Sequence, residues 1–339
     1  MAAGRPARIE LVCPAGGLPS LRAAVDNGAD SVYMGLRDET NARNFSGLNF
    51  DLAAAREGVN YAHRHGRKVL LAINTYPQPA TWQRWTRAVD TAAELGFDAV
   101  IVADPGLMRY AARAHPDLRI HLSVQGSATN YEAINFYHRH FNVRRAVLPR
   151  VLAVAQVEQV IRNTPVEIEV FGFGSLCVMV EGRCALSSYV TGESPNTTGA
   201  CSPAKAVRWE QKADGLETRL NGVLIDRYAA NESAAYPTLC KGRFKAADDV
   251  YYAIEEPASL NALELLPELA RIGVVAVKIE GRQRSPAYVA AVTRVWRGAL
   301  DALARSDNGY TVQPHWAAEL RRMSEGRSVT LGAYHRPWK

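Results

Sequence analysis

Four of the chain's five cysteines, Cys177, Cys184, Cys201 and Cys240, fall within about one-fifth of its 339 residues, spaced C-x6-C-x16-C-x38-C. Thiolates are nucleophiles and metal ligands, and they are favoured by nearby cations and by backbone N–H groups in turns. The local sequences offer both. "EGRC" and "GACSP" are turn sequences, and "YPTLCKGR" sets Cys240 between a proline and a Lys-Gly-Arg run. Arg183, Lys205, Lys241 and Arg243 stand close by in sequence. Three readings follow. Free cysteines pack as small hydrophobes in cores. Four thiolates hold a structural zinc tetrahedrally, although zinc knuckles pair their cysteines as C-x2-4-C and no such pair occurs here. Four thiolates also hold an iron–sulfur cluster, whose larger cuboid accepts ligands from well-separated loops. The spacing favours a cluster over zinc and leaves the three open. Cys13, in "LVCPAGG", reads as a buried strand residue, with a mouth-facing thiol as the alternative.

The elements that must position these cysteines follow a repeated rhythm. β-branched runs at 9–14, 31–35, 69–74, 99–104, 120–125, 145–150 and 168–174 alternate with amphipathic helical stretches, and "VVAVKIEG" (274–281) supplies an eighth strand. Leu18-Pro19-Ser20, Asp51 and Thr81 start helices, and Gly28, Gly66 and Gly96 end them. Eight β-α units predict an α/β fold, a TIM-like (β/α)8 barrel, with an open doubly wound sheet as runner-up. Residues 1–174 then form the first seven units and 175–258 a cysteine-bearing insertion after strand seven. Residues 259–305 hold the closing helix, eighth strand and last helix, and 306–339 form a C-terminal extension. In a barrel the strand ends share a mouth, which places Asn74, Asp104, Gln125, Arg150, Gly172 and Glu280 there.

Composition narrows the class. With 47% hydrophobic and 22% charged residues the chain is globular. The net charge of +6 permits a polyanionic partner, but 34 acidic residues interspersed among 40 basic ones also describe an ordinary mixed surface. No run approaches the roughly 18 apolar residues of a spanning helix, and the start reads as a first strand rather than a signal peptide. A cytoplasmic protein with reduced thiols is expected. Neither a Gly-x-Ser-x-Gly elbow nor a His-Glu-x-x-His helix occurs, and Ser175 in "FGSLC" has no paired base. Trp82, Trp85 and Trp296 sit on predicted helices and read as core or partner-facing. "NARNF" (41–45) offers amides and a guanidinium after the second strand, either as turn caps or as ligand contacts.

The segment "EVFGFGSLCVMVEGRCALSSYVTGESPNTTGACSPAKAVRWEQ" (169–211) resembles the signature of the collagenase-like, unclassified peptidase family. The likeness continues through 10–50, 221–244 and 255–297 and points to the ubiquinone-biosynthesis branch of that family, the UbiU-like proteins. The resemblance implies a [4Fe–4S] cluster on Cys177, Cys184, Cys201 and Cys240. It implies a heterodimer with a homologous UbiV-like subunit that hydroxylates the aromatic ring of ubiquinone precursors without molecular oxygen. Prephenate is the implied oxygen donor, and a UbiT-like lipid-binding protein is the implied accessory. An anionic donor would want cations at the mouth, for which Arg43, Arg150, Lys278 and Arg282 are the best offers, while Glu280 and Asp104 could handle protons. "KIEGR" reads equally as a structural ion-pair strand. Hydroxylation of an RNA base and a non-catalytic, cluster-bearing scaffold are the alternatives.

Overall fold

The computed structural model describes residues 8–305 and 309–336. Residues 1–7, on which the absence of a signal peptide was to be judged, lie outside the described residues, as do 306–308 and 337–339 of the extension.

Eight parallel strands close on themselves. They are β1 (Glu10–Pro14), β2 (Ser31–Met34), β3 (Lys68–Ile73), β4 (Ala99–Val102), β5 (Arg119–Leu122), β6 (Val143–Val147), β7 (Glu167–Ser175) and β8 (Ala276–Ile279). Each pairs with the next in the chain, and β8 pairs with both β7 and β1, Glu10 lying opposite Ala276. That closure excludes the open sheet. The helices outside are α1 (Leu18–Asp26), α2 (Leu52–Arg64), α3 (Trp82–Leu95), α4 (Pro105–Ala114), α5 (Tyr131–Phe141), α6 (Val154–Arg162), α7 (Leu266–Ile272) and α8 (Pro286–Arg305). Strands buried on both faces read as continuous apolar runs, which is why they were visible in the sequence. Asp51 caps α2 by accepting from the Ala54 N–H at 2.8 Å, and Gly96 ends α3 in the left-handed region at φ 77°.

Two expected mouth residues are corrected here. β4 ends at Val102, so Asp104 lies past it as the cap of α4, accepting from the Leu107 N–H at 2.8 Å. Gly172 sits inside β7, where an added Cβ would meet the Trp296 ring at 2.7 Å. Its missing side chain admits a buried tryptophan of α8, not a ligand. Trp85 is also core, donating to Thr75 Oγ1 at 3.0 Å.

Inside the barrel, Val12, Tyr33, Leu70 and Ile101 form one apolar cluster. Beside it runs a charged layer. Arg145 reaches Glu10 at 3.1 Å, Glu167 at 2.9 Å and the fully buried Glu169 at 3.3 Å, and Lys278 meets Glu169 at 2.7 Å. Lys278 of "KIEGR" is therefore half of an internal ion pair. Burial pushes the Glu10 carboxyl up, but the hydrogen bond and charge of Arg145 outweigh it and, with Ser31, hold it down at about 2. Burial, then Arg145 and Arg119, keep His121 neutral. Replacing Arg145 by Met removes the guanidinium that Glu10, Glu167 and Glu169 share, leaving Glu169 only Lys278, and is expected to lower stability by about 3–5 kcal/mol in urea unfolding at neutral pH. A depressed folded pKa stabilises above the ordinary carboxylate range and is lost as pH falls through the folded value. The gap between wild type and Arg145→Met should therefore narrow from pH 4.5 towards pH 2. A gap that stays constant with pH would remove Glu10 from this account.

Residues 175–258 rise from the end of β7. They carry short helices at Leu186–Thr191 and Pro195–Thr198, an antiparallel three-stranded sheet (Val207–Lys212, Gly215–Leu220, Val223–Ala229) and a hairpin of Phe244–Ala246 with Asp249–Tyr251. The chain returns through Ser259–Asn261, antiparallel to the end of β7 with Ser259 opposite Ser175. This strand was not expected. Val329–Thr330 of the extension pairs with it in parallel, bringing the C-terminal segment to the mouth.

Candidate functional site

The mouth of the barrel and the inserted segment enclose a cavity of about 1120 Å³. Cys177, Cys184, Cys201 and Cys240 all line it. Asn74, Gln125, Arg150 and Glu280 line it as expected, together with Arg43, Lys278 and Arg282. Cys13 lies elsewhere, fully buried, with its sulfur accepting from Thr293 Oγ1 at 3.2 Å and its thiol pushed up to about 12 by burial.

Specific contacts hold each cysteine loop. Arg150 fixes the first two: its Nε donates to Glu181 Oε1 at 2.6 Å, a second nitrogen donates to the Ser175 carbonyl, and its guanidinium lies 4.4 Å from the centre of the Phe171 ring. The turn before Cys184 presses on the end of β5, since Gly182 adopts φ 91° and a Cβ there would meet the Gln125 carbonyl at 2.2 Å. Ser127 Oγ donates to the Glu181 carbonyl at 2.7 Å, and Asn196 Nδ2 donates to the Cys184 carbonyl at 3.1 Å. The loops of Cys201 and Cys240 are stitched together: Ser202 Oγ donates to the Pro237 carbonyl, and the Tyr236 hydroxyl donates to the Ser202 carbonyl at 3.1 Å. Lys241, next to Cys240, pairs with Glu325 of the extension at 2.5 Å. Its Nζ also reaches Ser175 Oγ at 3.4 Å, so that hydroxyl meets a cation already neutralised by a carboxylate.

The thiols feel one another. Burial raises Cys177 to about 11, with Glu181 adding and Arg150 opposing, and Cys201 contributes further. Burial likewise raises Cys240 to about 12; Lys241 opposes it, and Cys201, Cys177 and Cys184 all push it up. Cys201, the most exposed of the four, is raised by the protein walls around it; Arg43 opposes this and Cys184 adds to it. Cys177, Cys201 and Cys240 therefore belong to a ligand set whose thiolates need a compensating positive centre. Arg150, Arg43 and Lys241 supply part of that charge. Among the described residues no three His, Cys, Asp or Glu side chains are gathered tightly enough for a single ion.

Sequence neighbours were a poor guide to these cations. Arg243, two residues beyond Lys241, turns away to Asp226 at 2.8 Å and to Glu232, and Lys205 is taken by Glu193. Arg43 and Arg150 come from the loop after β2 and the end of β6, and only closure of the barrel brings them to the thiols. No helix of the described residues is long and apolar enough to cross a membrane.

Residues 16–337 match Peptidase family U32. The tRNA hydroxylation protein P of Escherichia coli (strain K12) is 32% identical over 323 residues, covering 87% of this chain and 68% of the relative. The tRNA hydroxylation protein P1 of Bacillus subtilis (strain 168) is 28% identical, covering 95% and 70%. A 23S rRNA 5-hydroxycytidine synthase of Escherichia coli (strain K12) is 30% identical over 90% of this chain but only 42% of its own length. A solved U32 peptidase structure overlays with a TM-score of 0.41 at 16% identity, over 51% of this chain and 71% of that one. The extent of the family match, which runs from the loop after β1 through the extension, makes this chain a member of peptidase family U32.

Proposed function

We propose that this chain is the iron–sulfur subunit of an oxygen-independent hydroxylase acting on the aromatic ring of ubiquinone precursors. The observation that carries the reading is the convergence of Cys177, Cys184, Cys201 and Cys240 on one cavity at the carboxyl ends of the barrel strands, the place where such barrels do chemistry. A [4Fe–4S] cluster fits the donor set: four thiols, no imidazole among them, spread around the cavity rather than drawn to one point. A zinc ion would need four sulfurs about 2.3 Å from a single centre. Cys177, Cys184, Cys201 and Cys240 would hold the cluster, which when bound supplies one-electron redox chemistry. The chain's own residues do the rest. Arg150, Arg43 and Lys241 offset thiolate charge, and Phe171 and Tyr288 offer the mouth aromatic surface.

The reaction class draws support from relatives named for hydroxylation of tRNA and rRNA. The quinone substrate, prephenate as oxygen donor, and the UbiV-like and UbiT-like partners rest on the resemblance of the cysteine segment to the UbiU-like branch. A partner surface has a physical counterpart. Seven of the ten large hydrophobic side chains exposed among the described residues lie within 175–258, including Tyr189, Trp209, Val250 and Tyr251. The second reading, hydroxylation of an RNA base, is favoured by those same relatives and by the net charge of +6.

Anoxic cells with and without the gene separate the two. Loss of the gene should deplete hydroxylated quinone precursors and leave RNA nucleosides unchanged. Unchanged quinones with a missing hydroxylated nucleoside would replace the first reading by the second.

A further inference from the structure

The cysteine loops are held from different sides. Arg150 and Glu181 clamp the turns of Cys177 and Cys184, and the loops of Cys201 and Cys240 are stitched to one another. On its outer side the Cys240 loop is anchored in the three-stranded sheet, the Arg243 N–H donating to the Ile225 carbonyl at 3.1 Å. Its cavity side rests on the C-terminal extension, with Glu325 lying 84 positions from Lys241 in the chain.

Two ion pairs to the extension flank Cys240. Lys241 shares the short 3-10 turn Leu239–Lys241 with Cys240, is only 4% exposed, and meets Glu325 at 2.5 Å. Among the described residues no other carboxylate lies within ion-pair distance of it. An ammonium buried without a partner is strongly unfavourable, so loss of Glu325 would drive Lys241, and the turn that carries it, towards water. On the other side the Cys240 carbonyl accepts from the Glu255 N–H at 3.2 Å, and the Glu255 carboxylate pairs with Arg336 of the extension at 2.8 Å.

The extension is itself fixed at this point. The helix Pro314–Met323 ends at Met323, whose carbonyl accepts from Arg284, in the loop after β8, at 2.9 Å. The Glu325 N–H donates to Ser259 Oγ at 2.9 Å, and the Ser259 N–H donates to the Ser328 carbonyl at 3.1 Å. Gly326 adopts φ 58°, and a Cβ there would meet the Pro257 carbonyl oxygen at 2.4 Å. Met323, Glu325 and Gly326 line the cavity. A turn clamped on the loop after β8, on the return strand and on the Cys240 loop forms a wall of the site.

We propose that the C-terminal extension positions the fourth cysteine: Glu325, through Lys241, and Arg336, through Glu255, hold Cys240 where it shares a ligand group with Cys177, Cys184 and Cys201. The proposal rests on the reading of these cysteines as one ligand set. Groups that orient metal ligands change affinity by about 10–100-fold. Glu325 carries most of the effect, because its partner is buried, whereas Arg336 is largely exposed and its pair is worth less.

The full chain, purified anaerobically as wild type, Glu325→Gln, Glu325→Asp and Arg322→Gln, tests it in two ways. Iron release to a ferrous chelator should be about tenfold faster in Glu325→Gln, partly restored in Glu325→Asp, and unchanged in Arg322→Gln, whose pair with Glu319 does not line the cavity. Once the chelator has taken the iron from every protein, alkylation with peptide mass mapping should find Cys240 reacting about tenfold faster in Glu325→Gln, with Cys13 and Cys184 at their wild-type rates. That selectivity separates positioning from general loosening. A wild-type Cys240 rate, wild-type iron release from an iron-loaded chain, or equal acceleration of all cysteines including Cys13 would overturn the proposal. If Glu325→Gln does not fold, Arg336→Gln carries the same selective expectation at about twofold. The two claims fail separately. Full iron and sulfide retention in Glu325→Gln, with Cys240 unchanged, sinks the positioning role and leaves the cluster. A chain without iron or sulfide, whose Cys240 is still selectively exposed by Glu325→Gln, sinks the cluster and leaves the positioning role.

Discussion

Replacing any one of Cys177, Cys184, Cys201 or Cys240 by Ala is expected to abolish cluster retention, with iron and acid-labile sulfide falling from about four each per chain to near zero. Cys13→Ala should leave both unchanged. The contrast follows from position. The four line one cavity, and Cys177, Cys201 and Cys240 are each raised in part by neighbouring cysteines, whereas Cys13 is sealed between β1 and α8 against Thr293. Loss of one thiolate would leave a corner of the proposed cuboid without a ligand, and no histidine of the described residues stands in the lining to replace it. A protein that keeps full iron and sulfide without Cys184 or Cys240 would show that the cavity holds its metal by other groups.

The second large effect belongs to Arg150. Its guanidinium neutralises Glu181, which is 9% exposed, satisfies the Ser175 carbonyl and covers the Phe171 ring. Burial alone would lower its pKa, but Glu181 and then Cys177 hold it charged. Arg150→Leu strands a buried carboxylate and frees both ends of the segment between Ser175 and Cys184. We expect a loss of about 3–5 kcal/mol in chemical unfolding and faster proteolysis within 175–184. Arg150→Lys, which keeps the charge but not the fork, should recover part of the stability. Wild-type stability in Arg150→Leu would mean that the cysteine turn is held by its backbone contacts with β5 alone.

The barrel was legible because its strands are buried on both faces and its helices carry their own start and stop residues. Asp51 and Gly96 did in the fold what their types suggest. The errors lie where a boundary differs by one or two positions, since a side chain changes face with each residue of a strand. β4 ends at Val102, so Asp104 became a helix cap, and β7 runs on to Ser175, so Gly172 faces α8. The strand Ser259–Asn261 was hidden because three residues give no periodicity, and its partner is the far end of β7. The four cysteines stood out by clustering alone. Their cations did not: Arg43 lies more than 100 residues from any of them in sequence, while Arg243, which looks adjacent to Cys240, serves the Asp226 and Glu232 carboxylates instead. The packing of "NARNF" was equally hidden, because it depends on the hydrogen bond that Arg282 donates to Asn41, 241 positions away.

The most direct test of the central claim is anaerobic purification followed by iron, acid-labile sulfide and zinc analysis with a visible spectrum. The account predicts about four iron and four sulfide per chain, with broad visible absorption that bleaches on reduction. Stoichiometric zinc with no acid-labile sulfide and a colourless protein would contradict it.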